Sequence, residues 1–172
     1  NLHGLVGNNL KFEDVEKELK APTDKRLLAI VDAIKKQISV DKIHELTKID
    51  KWFLHKIKNV VETEKELLMY DADNMPINLI KSAKQKGFSD FQIAKILSKD
   101  NSNMEEKLLQ IRQFRKKNSI VPFVKQIDTL AAEYPAKTNY LYMTYNADDD
   151  DIEFNQKNNV VVLGSGAYRI GS

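Results

Sequence analysis

His44-Glu45-Leu-Thr-Lys48 opens like the H-E-x-x-H helix, in which two imidazoles one turn apart on one face hold zinc. Lys48 puts a cation where the second imidazole is needed, and the chain has only two other histidines, His3 and His55. All three read as helix-surface or interface residues. Gly166-Ala-Tyr-Arg-Ile-Gly171-Ser172 has the glycine spacing of a phosphate loop, but Ser172 stands in place of the lysine that would meet the β- and γ-phosphates. Gly164-Ser-Gly166 followed by Gly171 sets its third glycine too far along for a dinucleotide fingerprint. A tight turn from strand to helix explains the same glycines. Asn146, Asp148, Asp150 and Asp151 carry calcium-loop oxygens, yet Asp151 and Lys157 take the places of the hinge glycine and the bidentate glutamate. They read as a solvated linker. The chain has no cysteine, which removes disulfides, thiolate metal sites and cysteine nucleophiles together.

The densest cation cluster is Arg112, Arg115, Lys116 and Lys117, at the end of a helical pattern where positive charge complements the helix dipole. It sustains an alternative, a helix-turn-helix nucleic-acid-binding module over residues 89–117, with the second helix in a major groove. Against it, the connection between the helices exceeds the usual 3 to 4 residues, and Glu105-Glu106 sits at the end that would meet base edges. The overall balance is 27 basic to 25 acidic side chains, a net charge of +2. No global field advertises nucleic acid or anionic lipid.

The elements that must position these residues are helical. Residues 12–19 form a first segment, and Pro22 and Asp24 open a helix over 25–36 with Leu27, Leu28, Ile30, Val31 and Ile34 at helical spacing. Ser39 or Asp41 caps a short helix, and Asp50 caps a long one carrying Trp52, Phe53, Ile57, Val60, Val61, Leu67 and Leu68. Pro76 starts a helix that Gly87 ends. Ser89 caps residues 90–98, and residues 104–117 place Leu108, Ile111 and Phe114 inward. A short helix is predicted from Val124 to about Tyr134, then an extended segment over 139–145 rich in Tyr and Thr. Residues 39–46 and 89–96 match at an offset of 50 positions, an internal repeat that common packing demands explain as readily as duplication.

With 172 residues, 42% hydrophobic and 30% charged, six Gly and four Pro, the composition fits a mainly α globular fold and excludes collagen-like or loop-rich all-β classes. No apolar run reaches the roughly 20 residues that cross a bilayer, and the first ten residues lack a basic region before an apolar stretch. The chain reads as soluble, unsecreted and cytoplasmic. Both ends read as cut: the chain starts at Asn1, and Asn159-Val-Val-Val-Leu163-Gly opens like a buried parallel strand whose partners are missing. Residues 148–172 hold two basic and five acidic side chains, which leaves the preceding part at +5 and marks a boundary.

Several strings point one way: Pro22-Thr-Asp-Lys-Arg-Leu-Leu-Ala-Ile30, Ile49-Asp-Lys-Trp-Phe-Leu54, Gly87-Phe-Ser-Asp-Phe-Gln-Ile-Ala94, Val124-Lys-Gln-Ile-Asp-Thr-Leu-Ala-Ala-Glu-Tyr134, Thr138-Asn-Tyr-Leu-Tyr-Met-Thr-Tyr-Asn146 and Gly164-Ser-Gly-Ala-Tyr-Arg-Ile-Gly-Ser172. In this order they resemble the middle of the large chain of carbamoyl phosphate synthetase, over about residues 10–172. The resemblance implies a mainly α, irregular multi-helix fold with a short C-terminal extended segment and one severed β-strand. It implies a helical oligomerization and spacer domain over 1–147, an acidic linker over 148–157, and over 158–172 the truncated start of the second ATP-grasp half.

The parent enzyme so implied is a glutamine-hydrolysing ligase that makes carbamoyl phosphate from bicarbonate, glutamine-derived ammonia and two ATP with Mg. No cofactor and no catalytic residue falls on this segment. Gly164, Gly166, Arg169 and Gly171 would lie in a Gly-rich turn near the tunnel carrying the intermediates. Arg169 in its Tyr-Arg-Ile-Gly setting looks like the eukaryotic pyrimidine-pathway branch, whose enzyme is often fused to other activities. The implied partners are the flanking ATP-grasp halves, a glutaminase domain or subunit, and further copies in a homo-oligomer, with neither nucleic acid nor membrane among them. Trp52, Phe53, Phe88, Phe91 and Tyr140 are the candidate core or interface anchors.

Overall fold

The computed structural model describes residues 4–8, 10–71, 74–98, 103–128 and 140–153. They fall into two compact units, one of the chain up to Pro122 with Thr144–Asn146, the other of 123–143 and the chain from 147 on. The first unit is mainly α. Its helices among the described residues are α1 (Val15–Lys20), α2 (Arg26–Lys35), α3 (Val40–Thr47), α4 (Lys51–Leu67), α5 (Ile77–Gln85), α6 (Asp90–Leu97) and α7 (Met104–Lys117). The second unit carries β1 (Phe123–Gln126), paired antiparallel with β2 (Leu141–Thr144), whose last residue groups with the first unit.

Local side-chain chemistry sets most boundaries. The carboxylates of Asp14 and Asp50 and the hydroxyl of Ser39 accept backbone N–H groups at the starts of α1, α4 and α3, satisfying donors that the first turn of a helix leaves unpaired. Ser89 and Gln92 do so reciprocally in a capping box at α6. At α2 the cap position is Lys25, which makes no side-chain cap bond. Arg26 instead reaches back, and its guanidinium donates to the carbonyls of Lys20 and Ala21 at 2.7 and 2.9 Å, closing the end of α1.

Helices α2, α5 and α7 end on one turn type. Gln37, Gly87 and Ser119 take positive φ of 63°, 88° and 57°. The next residue in each case donates its N–H back to the carbonyl five positions earlier, as in Ile38 to Ala33, Phe88 to Ala83 and Ile120 to Arg115. Thus the 50-residue repeat is present in three dimensions as helix, left-handed turn, Ser-capped short helix and longer helix. Each helix sends at least one effectively fully buried aliphatic residue to a common core: Leu19, Ile30, Ile43, Leu54, Leu67, Ile80, Ile93 and Ile111. Burial of this kind contributes about 1.5–3 kcal/mol per side chain.

Buried carboxylates fasten the N-terminal strap. Asp32 accepts the N–H of Phe12 at 3.0 Å, and Lys36 pairs with Asp32 while donating to the Phe12 carbonyl at 2.9 Å. Glu64 accepts the N–H of Gly7 and the Lys35 ammonium, both at 2.6 Å. These bonds hold residue 12 outside α1, so the first helix starts at Val15 rather than at the expected residue 12. The other correction concerns residues 124–126, which are strand where a helix is expected. Phe123, Val124, Lys125 and Gln126 are all half-buried, and their pairing partners lie in β2 and in the acidic run near residue 150, beyond the reach of a local pattern. Residues 129–134 of that expectation lie outside the described residues.

Candidate assembly surface

The five aromatic anchors separate by position. Phe88 is core, 2% exposed, because it follows the left-handed Gly87 and its backbone N–H bonds back to Ala83. Phe91 is half-buried on α6. Tyr140, in the second unit, is exposed. Trp52 and Phe53 are 59% and 57% exposed in the first turn of α4. Their rings meet edge to face with centroids 4.9 Å apart and planes at 88°, and the Lys56 ammonium stands 5.0 Å from the Trp52 centroid. Aromatic and cation–π geometry of this kind favours a preset arrangement over free rotation.

Their exposure belongs to the first turn of α4. Asp50 fixes the start of α4, Leu54 is fully buried four residues on, and Val61, Glu64 and Leu67 continue that face. Around the axis Phe53 falls about 20° from Glu64 and about 40° from Leu67, and Trp52 about 20° from Thr63, all of them buried, so helical phase alone does not set their exposure. At the far end of α4, Leu68 and Met69 are exposed and Tyr70 marginally so, and Ile77 on α5 is half exposed. Met69, Tyr70, Pro76 and Leu79, with Glu66 and Asn78, line a groove of about 320 Å³ in this region. The first unit therefore carries two apolar exposures, one at each end of α4.

The most buried charged residues are committed to the fold. Asp90 lies between Lys84, at 2.8 Å, and Arg115, whose Nε lies 2.9 and 2.7 Å from its two oxygens. Lys84 also donates to the Phe88 carbonyl at 2.8 Å, and its ammonium lies 5.0 Å from the Tyr145 ring centroid. Burial pushes the Asp90 carboxyl up, but the hydrogen bonds and charges of Lys84 and Arg115 outweigh it and hold it below the usual carboxylate range. Burial raises the Tyr145 phenol. Arg115, central to the cation cluster, is thus drawn onto Asp90, while Arg112, Lys116 and Lys117 stay exposed. His44 brings Nδ1 to 2.7 Å from the Ile49 carbonyl and pins the turn between α3 and α4. Its role is structural.

In the second unit the Asp151 carboxyl is held low by hydrogen bonds from Lys125 and the Gln126 N–H, and the same Asp151, with Asp149, raises the Lys125 ammonium. Among the described residues no group of three or more His, Asp or Glu gathers as a metal site, and no helix is long and apolar enough to cross a membrane. Gly164, Gly166, Arg169 and Gly171 lie outside the described residues.

Residues 2–119 match the family described as carbamoyl-phosphate synthetase large chain, oligomerisation domain. The chain is 51% identical over 97% of its length to multifunctional protein ura1 of Schizosaccharomyces pombe, and 47% identical over 91% of its length to multifunctional protein CAD of Squalus acanthias. It is 48% identical over its full length to the arginine-specific carbamoyl phosphate synthase large chain of Eremothecium gossypii. It spans only 7% of the first two relatives and 15% of the third. The matched span is the helical unit through the end of α7, and the chain belongs to the family of carbamoyl-phosphate synthetase large-chain oligomerisation domains.

Proposed function

We propose that this chain serves as the oligomerization and spacer segment of a ligase that makes carbamoyl phosphate from bicarbonate, glutamine-derived ammonia and two ATP. The observation that carries the reading is the pair of apolar exposures at the two ends of α4, on a unit whose buried charged groups hold its own backbone or one another. Exposed aromatic and aliphatic side chains on an otherwise satisfied domain are what an assembly surface requires. The partners would be flanking ATP-grasp halves, a glutaminase domain or subunit, and further copies of the chain. Asp32, Glu64 and Asp90 hold backbone N–H groups or cationic side chains, and ATP and Mg would be bound elsewhere in the parent enzyme. Both groups belong to the parent's ATP-grasp halves. The Gly-rich turn with Gly164, Gly166, Arg169 and Gly171 would open the second of these, beside the tunnel.

Overall identity does not separate the branches, since multifunctional and arginine-specific relatives match alike. The pyrimidine-pathway assignment, and with it a cytoplasmic location, rests on the setting of Arg169. The test is sedimentation velocity of the chain over a concentration series at low and high salt. A reversible oligomer insensitive to salt, weakened in W52S/F53S, is the expected result. A strict monomer at high concentration would overturn self-association and leave an intramolecular spacer.

A further inference from the structure

Among the described residues β1 and β2 form a two-stranded sheet, and the outer edge of such a strand is a template for a further strand. Just past β1, the Ile127 N–H donates to the Tyr140 carbonyl at 2.8 Å, toward the β2 side. The alternation of a strand then turns the N–H groups of Val124 and Gln126 to the opposite side. The Val124 N–H donates to Asp150 Oδ1 at 2.6 Å, and the Gln126 N–H donates to Asp151 Oδ2 at 2.9 Å. Asp151 returns its own N–H to the Val124 carbonyl at 2.9 Å. Lys125, between them, pairs with Asp149 at 3.1 Å and with Asp151 at 2.5 Å. Three consecutive aspartates thus meet one strand at two N–H donors, one carbonyl and one ammonium, in the places a third strand would use. A carboxylate accepts those N–H groups without presenting a fresh row of donors and acceptors, so pairing stops there.

We propose that Asp150 and Asp151 close the outer edge of β1 against strand pairing with a second copy of this chain. The edge they cover reads Phe123-Val-Lys-Gln-Ile127, rich in the residue types that favour strands. In a solution of the protein, the extended segment available to such an edge is another copy. The aspartates act twice, since an arriving copy would also bring its own acidic run against this one, and like charges at an interface disfavour that partner.

The test uses amide exchange by NMR on the whole chain, with sedimentation velocity beside it. D150A/D151A should speed exchange at Val124 and Gln126 at least tenfold and produce association beyond that of the parent chain. D148A, which removes an acidic charge without touching a bond to β1, should do neither. D150N/D151N keeps an acceptor oxygen at each position and should retain most of the protection. Adding Q126P to D150A/D151A removes one edge donor and should return association to the parental level. Unchanged exchange at both amides in D150A/D151A, or association that survives Q126P, would overturn the proposal. Run in a W52S/F53S background, the comparison is independent of whether the helical unit self-associates.

Discussion

Fifty positions apart, Ser39 and Ser89 open helices after the same left-handed turn, but positions 34 and 40 hold Ile and Val whereas 84 and 90 hold Lys and Asp. In the first half Ile34 is buried and Val40 packs on the core. In the second half the same two positions form an ion pair that recruits Arg115 from α7 and lays Lys84 beneath Tyr145. The turn is a local property, set by a left-handed residue and a serine cap. What locks it is a tertiary choice, and apolar packing and a satisfied charge network do the same job. They differ in how they fail, because an aliphatic pair loses contact area gradually, while a buried ion pair stripped of one partner leaves a charge unsolvated.

The largest expected effect comes from stripping that network. D90A leaves Lys84 and Arg115 without their shared anion and should cost about 3–5 kcal/mol in urea unfolding. The triple variant K84I/D90V/R115M, which imports the first half's solution, should recover most of it. A triple variant no more stable than D90A would break the equivalence of the two locks. Next, L54A removes a fully buried side chain from the phase that α4 shares with the core and should cost about 2–5 kcal/mol.

The two locks also separate by pH. The Asp90 carboxyl is held below its ordinary value in the folded state, so its contribution is fully present above the unfolded value near pH 4. It is lost as pH falls through the folded value. The thermal midpoint of D90N should accordingly fall less between pH 7 and pH 3 than that of the parent chain, while I34A leaves the acid limb unchanged. A smaller contrast tests the turn itself. Gly87 at φ 88° has nothing within 4 Å of where a Cβ would stand, so G87A should cost about 1 kcal/mol from backbone conformation alone. Q37G at φ 63° should gain roughly 0.5 kcal/mol. Smallest of all, W52S should change the unfolding energy of the monomer by only about 0.5 kcal/mol, and its effect should appear in association instead.

Much of the fold was legible. Six of the helices lie close to their predicted spans, and Ser39, Asp50 and Ser89 cap as expected, because each cap reaches a backbone N–H within three residues. The candidate site was legible only in kind. Trp52 and Phe53 stood out as apolar and adjacent, but whether they faced the core or solvent depended on what packs against the first turn of α4. The acidic run read as a solvated linker, and its side chains are largely exposed, yet Asp149, Asp150 and Asp151 are bonded to a strand about 25 residues earlier. No local spacing encodes that.

The sequence by itself determined where most helices start and stop, the turn at Gly87 and the doubling of the pattern, since these follow from hydrogen bonds and steric limits among near neighbours. Only the tertiary structure decided that Asp32 and Glu64 hold the N-terminal strap, that Arg115 belongs to Asp90 rather than to a basic face, and that residues 123–126 are a strand. Those pairings join residues 20 to 57 positions apart. A periodic pattern fixes the phase of an element about its own axis, and the partner that meets each face is fixed by packing.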